Sequence, residues 1–315
     1  MLILAILVLG SLTSEYYLTM RNLETLLRFM AVIGLLSLGV TIVMLTGRID
    51  LSVAAIMVFS VISAVVFTKL LGGWIGERWV VRGNSFVGPA SVVFLATLVV
   101  GCVLGLMNGI GIAHFKVSSF IMTLVTLTAL RGGNYILTDG HPYYLQSDAF
   151  RWVGNADFLG IPFSFLVFCS VLAFLAWLMG RTNFGRHVYA IGGNEKAAIY
   201  AGLKTNRIVI LTFMISGLCS AVAGILFTSR LASVDAPLAS GYELTAIAIA
   251  VIGGTALSGG VGSPWRTLLA AVAFAAGLNL LSIWGVSTWY QNLAIGLTLL
   301  IAVGLSPASR KRLQL

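Results

Sequence analysis

The 315-residue chain is 59% hydrophobic and only 9% charged, with a mean hydropathy of +1.01 and a formal net charge of +9. A soluble domain carries roughly 25% charged residues, so the composition excludes a water-soluble globular fold. It points to the bilayer as solvent, where a charge at the centre of a spanning helix costs on the order of 2.5–3.5 kcal/mol.

Uncharged runs near the ~20 residues needed to span the hydrocarbon mark the helices. They predict an all-α, polytopic integral membrane protein, a single transmembrane domain over 1–315 with about ten transmembrane helices. The helices are placed near 1–18, 28–46, 51–70, 89–113, 117–137, 160–180, 208–229, 243–262, 267–284 and 289–306. The first run has no Lys or Arg ahead of it, as a signal peptide would require. It reads as a first helix extended through Tyr17, or as one truncated at its start. Between the second and third helices stands Asp50, beside Arg48. An ionisable residue near membrane depth is a functional candidate; a local ion pair with Arg48 and a cap on the helix starting near Leu51 are the structural alternatives. Asn108 in the fourth helix suits either a polar path or an interhelical hydrogen bond. Arg131 in the fifth either snorkels outward or faces a watery cavity with Thr126, Thr128 and Asn134.

Three longer segments interrupt the runs: Gly72–Gly88, Thr138–Leu159 and Arg181–Arg207. In the last, Asn194 is a good helix N-cap, Glu195 suits the positive dipole end and Gly202 is a natural stop. About two turns with Ala197, Ala198 and Ala201 on neighbouring positions predict a short helix across one membrane face. Such a helix is too short to be stable alone and must dock. Glu243 opens the eighth helix, where its charge suits the dipole. Thr267–Ser309 is too long for one helix, and Trp284-Gly285-Val286-Ser287 supplies a turn, with Trp284, Trp289 and Tyr290 as interfacial anchors.

Ten spans put both termini on one side. That side receives eleven Lys or Arg, including the Arg181–Arg207 cluster and Arg310-Lys311-Arg312, against Asp50 and Glu195 alone; the other receives eight cations and eight acids. The bias predicts cytoplasmic termini and assigns 181–207 to the cytoplasm. The positive charge is thus a topology signal. With no basic stripe interleaved with aromatics outside the spans, nucleic acid is not an expected partner.

Four ordered blocks between about residue 20 and the C-terminus resemble the permease subunits of ribose-type sugar ABC importers, within the branched binding-protein-dependent transport permease family. Thr46-Gly47-Arg48-Ile49-Asp50-Leu51-Ser52-Val53 is the first, departing from the family pattern at Arg48, where Gly is usual, and at Ala54. Gly105–Gly109 with Val117–Leu124 is the second. The third is Gly185-Arg186-x-x-Tyr189-Ala190-Ile191-Gly192-Gly193-Asn194-Glu195-x-Ala197-Ala198-x-x-x-Gly202-Leu203, and the fourth runs from Gly241 to Ser263. The resemblance implies that 181–207 is a cytoplasmic coupling loop, with Gly192, Gly193, Asn194, Glu195, Ala197, Ala198 and Gly202 meeting a separate ATPase. It also implies a periplasmic sugar-binding protein, a second permease copy or paralogue, and a bacterial inner-membrane location. Asp50, Asn108, Phe120, Thr123 and Arg131 are the candidates for the translocation path or its gating.

Chemistry by this chain itself is not expected. Leu257-Ser258-Gly259-Gly260 is similar to the signature of ABC ATPases, but no Gly-x-x-x-x-Gly-Lys-Ser/Thr phosphate loop exists in the chain. No cofactor is expected on it; ATP and Mg are expected on the partner ATPase. His114, His141 and His187 lack metal spacing, and Cys102, Cys169 and Cys219 lie in apolar runs, so no metal site is expected. A secondary transporter or channel is the alternative; it predicts inverted repeats and charged, broken helices at the midplane. A membrane-embedded enzyme would need acids or histidines clustered at one interface, whereas here they are spread singly.

Overall fold

The computed structural model describes residues 2–74, 80–81 and 85–304. In chain order these hold α1 (Leu2–Thr13), α2 (Met20–Met44), α3 (Val53–Trp74), β1 (Val80–Val81), β2 (Ser85–Phe86), α4 (Ala90–Ala113) and α5 (Ser119–Thr138). There follow β3 (Tyr143–Leu145), α6 (Asp148–Asn155), β4 (Asp157–Phe158), β5 (Ile161–Pro162), α7 (Phe163–Arg181), α8 (Asn183–Gly193) and α9 (Glu195–Tyr200). The last elements are α10 (Thr205–Leu231), β6 (Ser233–Val234), α11 (Tyr242–Ile252), α12 (Pro264–Ile283) and α13 (Thr288–Gly304). Seven helices, α2, α3, α4, α5, α7, α10 and α12, are long and apolar enough to cross a membrane.

Burial sorts them into an inner and an outer set. The apolar window of α2 is 83% buried, against 28% for α4 and 17% for α5. A helix that is apolar all round and enclosed by protein is a core helix; α2, with α7, α10, α11 and α12 packed on it, fills that place. The α4–α10 contact is the closest. Gly101, Gly105 and Gly109, spaced every four residues, lie on one face of α4. A Cβ added at Gly105 would sit 2.3 Å from the Phe213 carbonyl oxygen, and one at Gly101 would sit 2.7 Å from that of Gly217. Small residues at this spacing let two membrane helices meet backbone to backbone.

A small sheet in the order β1-β2-β3-β6 covers one end of the bundle, with β2 and β3 parallel and the other pairs antiparallel. Beside it α6 buries Phe150 against Phe94, ring centroids 5.1 Å apart. The Arg28 guanidinium donates to the carbonyl oxygens of Gly154 and Asn155 at the C-terminus of α6 and pairs with Asp157, a favourable place for a cation on the helix dipole. The opposite end carries the α8–α9 hairpin.

Among the described residues a helix stands at each of the ten expected places, seven of them long enough to span, with five corrections. The first ends at Thr13 and does not extend through Tyr17. The second begins at Met20, capped by Thr19, rather than at 28. Two polar residues of the added turns are engaged: Arg28 holds α6, and Asn22 pairs reciprocally with Asn279 on α12. The eighth, expected over 243–262, ends at Ile252; Gly254, Gly259, Gly260 and Gly262 take φ of +80°, +88°, +75° and +150°, which ends helical backbone. The segments around α6 and α8, read as loops, contain helices. Trp284–Ser287 does form the turn before α13, with Gly285 at φ +74°. Glu77, Arg78, Arg82, Arg310, Lys311, Arg312 and the end of the tenth expected helix lie outside the described residues.

Candidate functional site

Three connecting segments meet at the α8–α9 end. The first is the turn between α2 and α3, the second is the α8–α9 hairpin, and the third is the glycine-rich loop 253–263. They touch through backbone. The Gly260 N–H donates to the Leu45 carbonyl at 3.0 Å. A Cβ at Gly192 would lie 1.9 Å from that same Leu45 oxygen and 2.3 Å from Gly260 N; one at Gly259 would lie 2.6 Å from Gly47 N. No side chain fits between these segments of backbone, so Gly47, Gly192, Gly259 and Gly260 form one close backbone junction. Tyr189 on α8 closes it, donating its hydroxyl to the Gly262 carbonyl at 2.9 Å. Burial pushes the Tyr189 phenol above its ordinary range, against a smaller opposing effect of Arg266, so the hydroxyl stays a donor at neutral pH.

The hairpin is built by local rules. Thr182 accepts from Gly185 N at the start of α8, whose Val188 and Ile191 are buried three residues apart. Asn194 accepts from Ala197 N at 3.0 Å and caps α9, and Gly202 at φ +79° ends the hairpin in the left-handed conformation. Ala198 is buried under α9, while Glu195 is partly and Ala197 fully turned outward. Gly192 and Gly193 differ sharply: around a Cβ at Gly193 there is nothing within 4 Å.

Arg48 does not pair with Asp50. Its guanidinium reaches Glu195 on α9 at 2.7 Å and the Thr46 carbonyl at 3.0 Å, which ties the α2–α3 turn to the hairpin. The expected local Arg48–Asp50 pair is therefore corrected: Asp50 points the other way, into the bundle.

Asp50 is fully buried and accepts three hydrogen bonds. Ser52 donates from N at 2.9 Å and from Oγ at 2.6 Å to one carboxylate oxygen, and Ser216 Oγ of α10 donates at 2.8 Å to the other. The bond from Ser52 N precedes α3, which begins at Val53, so Asp50 fixes the turn ahead of the helix and does not cap its first-turn N–H groups. Asn108 Nδ2 of α4 donates to Ser52 Oγ at 2.9 Å, and Thr126 Oγ1 of α5 donates to Asn108 Oδ1 at 2.6 Å. The result is one polar chain, Ser216–Asp50–Ser52–Asn108–Thr126, linking α10, α4 and α5 through the α2–α3 turn. Its donors and acceptors alternate without conflict, as a buried network must.

Asp50 and Asn108 thus meet in one network, and Thr123 is near it, its hydroxyl donating mainly to the Ser119 carbonyl at 2.8 Å. Phe120 is 52% exposed on the outer face of α5. Arg131 lies apart, eight residues or about 12 Å along α5 from Thr123, and pairs with Glu243 at the start of α11 at 2.8 Å. Glu243 is buried, and its second oxygen has no partner among the described residues, nor has the amide of buried Asn134. Ser216, Tyr189 and Gly47 were not singled out by sequence reasoning. The last two stand inside the recognised blocks, where Gly47 marks a turn and Tyr189 a hairpin face; Ser216 carries no local signal.

Seven long apolar helices, with a core helix wrapped by others that face outward, define a multi-pass membrane protein. Residues 22–303 match the family described as branched-chain amino acid transport system / permease component, and the chain belongs to it. It is 39% identical over 298 residues to a ribose import permease protein of Bacillus subtilis, covering 94% of this chain and 88% of that one. It is 32% identical over 305 residues to the ribose import permease protein of Escherichia coli K12, covering 96% and 90%. An L-arabinose ABC transporter permease protein of Azospirillum brasilense is 33% identical over 296 residues, covering 93% and 82%. The chain is accordingly a ribose-type ABC permease, a transport subunit rather than an enzyme. No solved structure matches it.

Proposed function

We propose that this chain is the membrane-spanning subunit of an ATP-driven importer for a monosaccharide or similar small polyol. The relatives named for ribose and L-arabinose support that substrate class. It works in the inner membrane as a pair, with itself or a paralogue, and substrate crosses at the interface of the two. A cytoplasmic ATPase supplies energy and uses the ATP and Mg, and a periplasmic binding protein delivers the sugar to the sheet end.

Ten passes with both termini cytoplasmic fit the ends of the bundle. Trp284 donates to Thr13 at the sheet end, whereas Ile3 shares a cavity with Gly253 and Arg266 at the hairpin end. The short α11 runs from the sheet end towards 253–263, which meets the hairpin. Irregular backbone that completes a pass is tolerated where it is buried in protein.

The observation that carries the reading is the glycine junction. It leaves α9 exposed for a partner and joins it through backbone to α2, α3, α11 and α12. ATPase closure that displaces α9 displaces these helices, and the Asp50 chain extends the movement to α4, α5 and α10.

Gly193→Trp tests the docking surface, because a Cβ at Gly193 meets nothing within 4 Å inside the chain. The tagged chain, purified in mild detergent, is expected to bring down a soluble protein with a phosphate loop, and Gly193→Trp is expected to lose it while keeping the same elution volume. A solitary parent chain that moves solute in liposomes without ATP would instead establish a secondary transporter.

A further inference from the structure

The sheet end holds a cavity of about 430 Å³ between α2, α10, α11, α12 and α13 that neither the junction nor the Asp50 chain touches. Phe29 and Tyr242 form an aromatic wall, edge to face with centroids 6.4 Å apart. Arg230, on the last turn of α10, opens into the same space. Among the described residues its guanidinium has no ion-pair partner. The charged side chain that acts on it is Arg28, of the same sign, and Arg28 is itself committed to Gly154, Asn155 and Asp157. Asn279 is engaged with Asn22, and Gln291 with Ser282 and the Val286 carbonyl, while the Tyr242 hydroxyl, Thr288 and Asn292 also line the cavity and supply neutral polar groups beside the guanidinium. One half-buried, unpaired guanidinium in a confined space calls for an anion, and its planar fork suits phosphate.

A second, apolar groove of about 300 Å³ runs between α11, α12 and α13 and shares Leu278 and Ile295 with the polar cavity. Small residues, Ala273, Gly277 and Ala294, leave it open. Its one hydroxyl, on Thr298, is spent on the Ala294 carbonyl at 2.7 Å, so nothing in it would satisfy the hydroxyls of a polyol. A cationic chamber continuous with an apolar groove on membrane-facing helices has the two-part chemistry of an amphiphile.

We propose that this composite cleft binds an anionic phospholipid, its phosphate on Arg230 and an acyl chain in the groove between α12 and α13. The site stands independently of which solute the permease carries.

Native mass spectrometry of the detergent-purified full chain, with added dioleoylphosphatidylglycerol or dioleoylphosphatidylcholine, tests it. One phosphatidylglycerol per chain is expected to survive gel filtration, in preference to phosphatidylcholine. Arg230→Gln is expected to lower retention at least about tenfold, the loss of one charge-assisted contact, while Arg230→Lys retains more. Ala294→Phe, which fills the groove and leaves Arg230 in place, is expected to lower it independently. Retention unchanged in both Arg230→Gln and Ala294→Phe would overturn the proposal, as would equal retention of phosphatidylcholine. Displacement by inorganic phosphate alone would overturn it in favour of a free-anion site.

Discussion

Arg48 spans 147 positions of sequence to reach Glu195. Both partners are partly solvated, so the pair adds little to stability; its value lies in holding the α2–α3 turn to α9. Glu195→Lys sets two cations face to face and is expected to abolish uptake while membrane insertion is unchanged. Adding Arg48→Glu restores the opposite charges and is expected to recover uptake, measured in the same vesicles. No recovery would place the defect of Glu195→Lys at the partner rather than at Arg48. Asp50 makes a different demand. Asn in its place keeps an acceptor for Ser52 and can donate to Ser216, whose hydroxyl can turn to accept. Leu strands both serines inside the bundle, at about 1–3 kcal/mol for each unsatisfied group. Asp50→Asn is therefore expected to melt within a few degrees of the parent in detergent, and Asp50→Leu well below it; equal melting of both would show that the chain of hydrogen bonds carries no stability.

Among the elements, the close approach of α4 and α10 rests on glycine spacing. Gly105→Val places methyl groups where the Phe213 carbonyl now lies, and overpacking of that kind costs about 1–3 kcal/mol. A lower melting temperature, with no such drop for Gly132→Val, where a Cβ meets nothing within 4 Å, is the expected result. The extents of most helices were legible because uncharged runs and membrane thickness are tied by physics. The boundary of α11 was not, since glycine is nearly neutral in hydropathy and lets an apolar run continue through backbone that four positive φ values forbid to helix. The helix α8 was not legible as a helix because Arg186, His187 and three glycines interrupt its apolar pattern. Phe184, Val188 and Ile191 at spacings of four and three were the signal that could have found it. Similarly, Asp50 and Asn108 were legible as polar residues in apolar surroundings, while their partner Ser216 was not, because a serine in a membrane helix is unremarkable until another helix is laid against it. A local pair with Arg48, its neighbour in sequence, was one of the readings open for Asp50. Burial inside the bundle and three hydroxyl or amide donors outweigh proximity along the chain.

At the scale of the whole molecule, the two ends of the bundle differ in construction. The sheet end is tied by strand pairing among β2, β3 and β6 and by side chains, through Arg28, Asn22–Asn279 and Arg131–Glu243. The hairpin end has the Arg48–Glu195 and Tyr189–Gly262 contacts and, beneath them, a close backbone junction at glycines. Side-chain ties can exchange partners as helices tilt, whereas a backbone junction with no free space moves as one piece, which is what transmission of an ATPase stroke requires. Uptake and ATP hydrolysis by the chain, reconstituted in liposomes with its ATPase and binding protein, test this most directly when Gly192→Ala is set beside Gly193→Ala. The single methyl at Gly192 must push the Leu45 and Gly260 backbones apart, while the one at Gly193 meets nothing. The account predicts that Gly192→Ala still assembles with the ATPase and hydrolyses ATP but loses uptake, and that Gly193→Ala transports like the parent. Normal uptake by Gly192→Ala would contradict it.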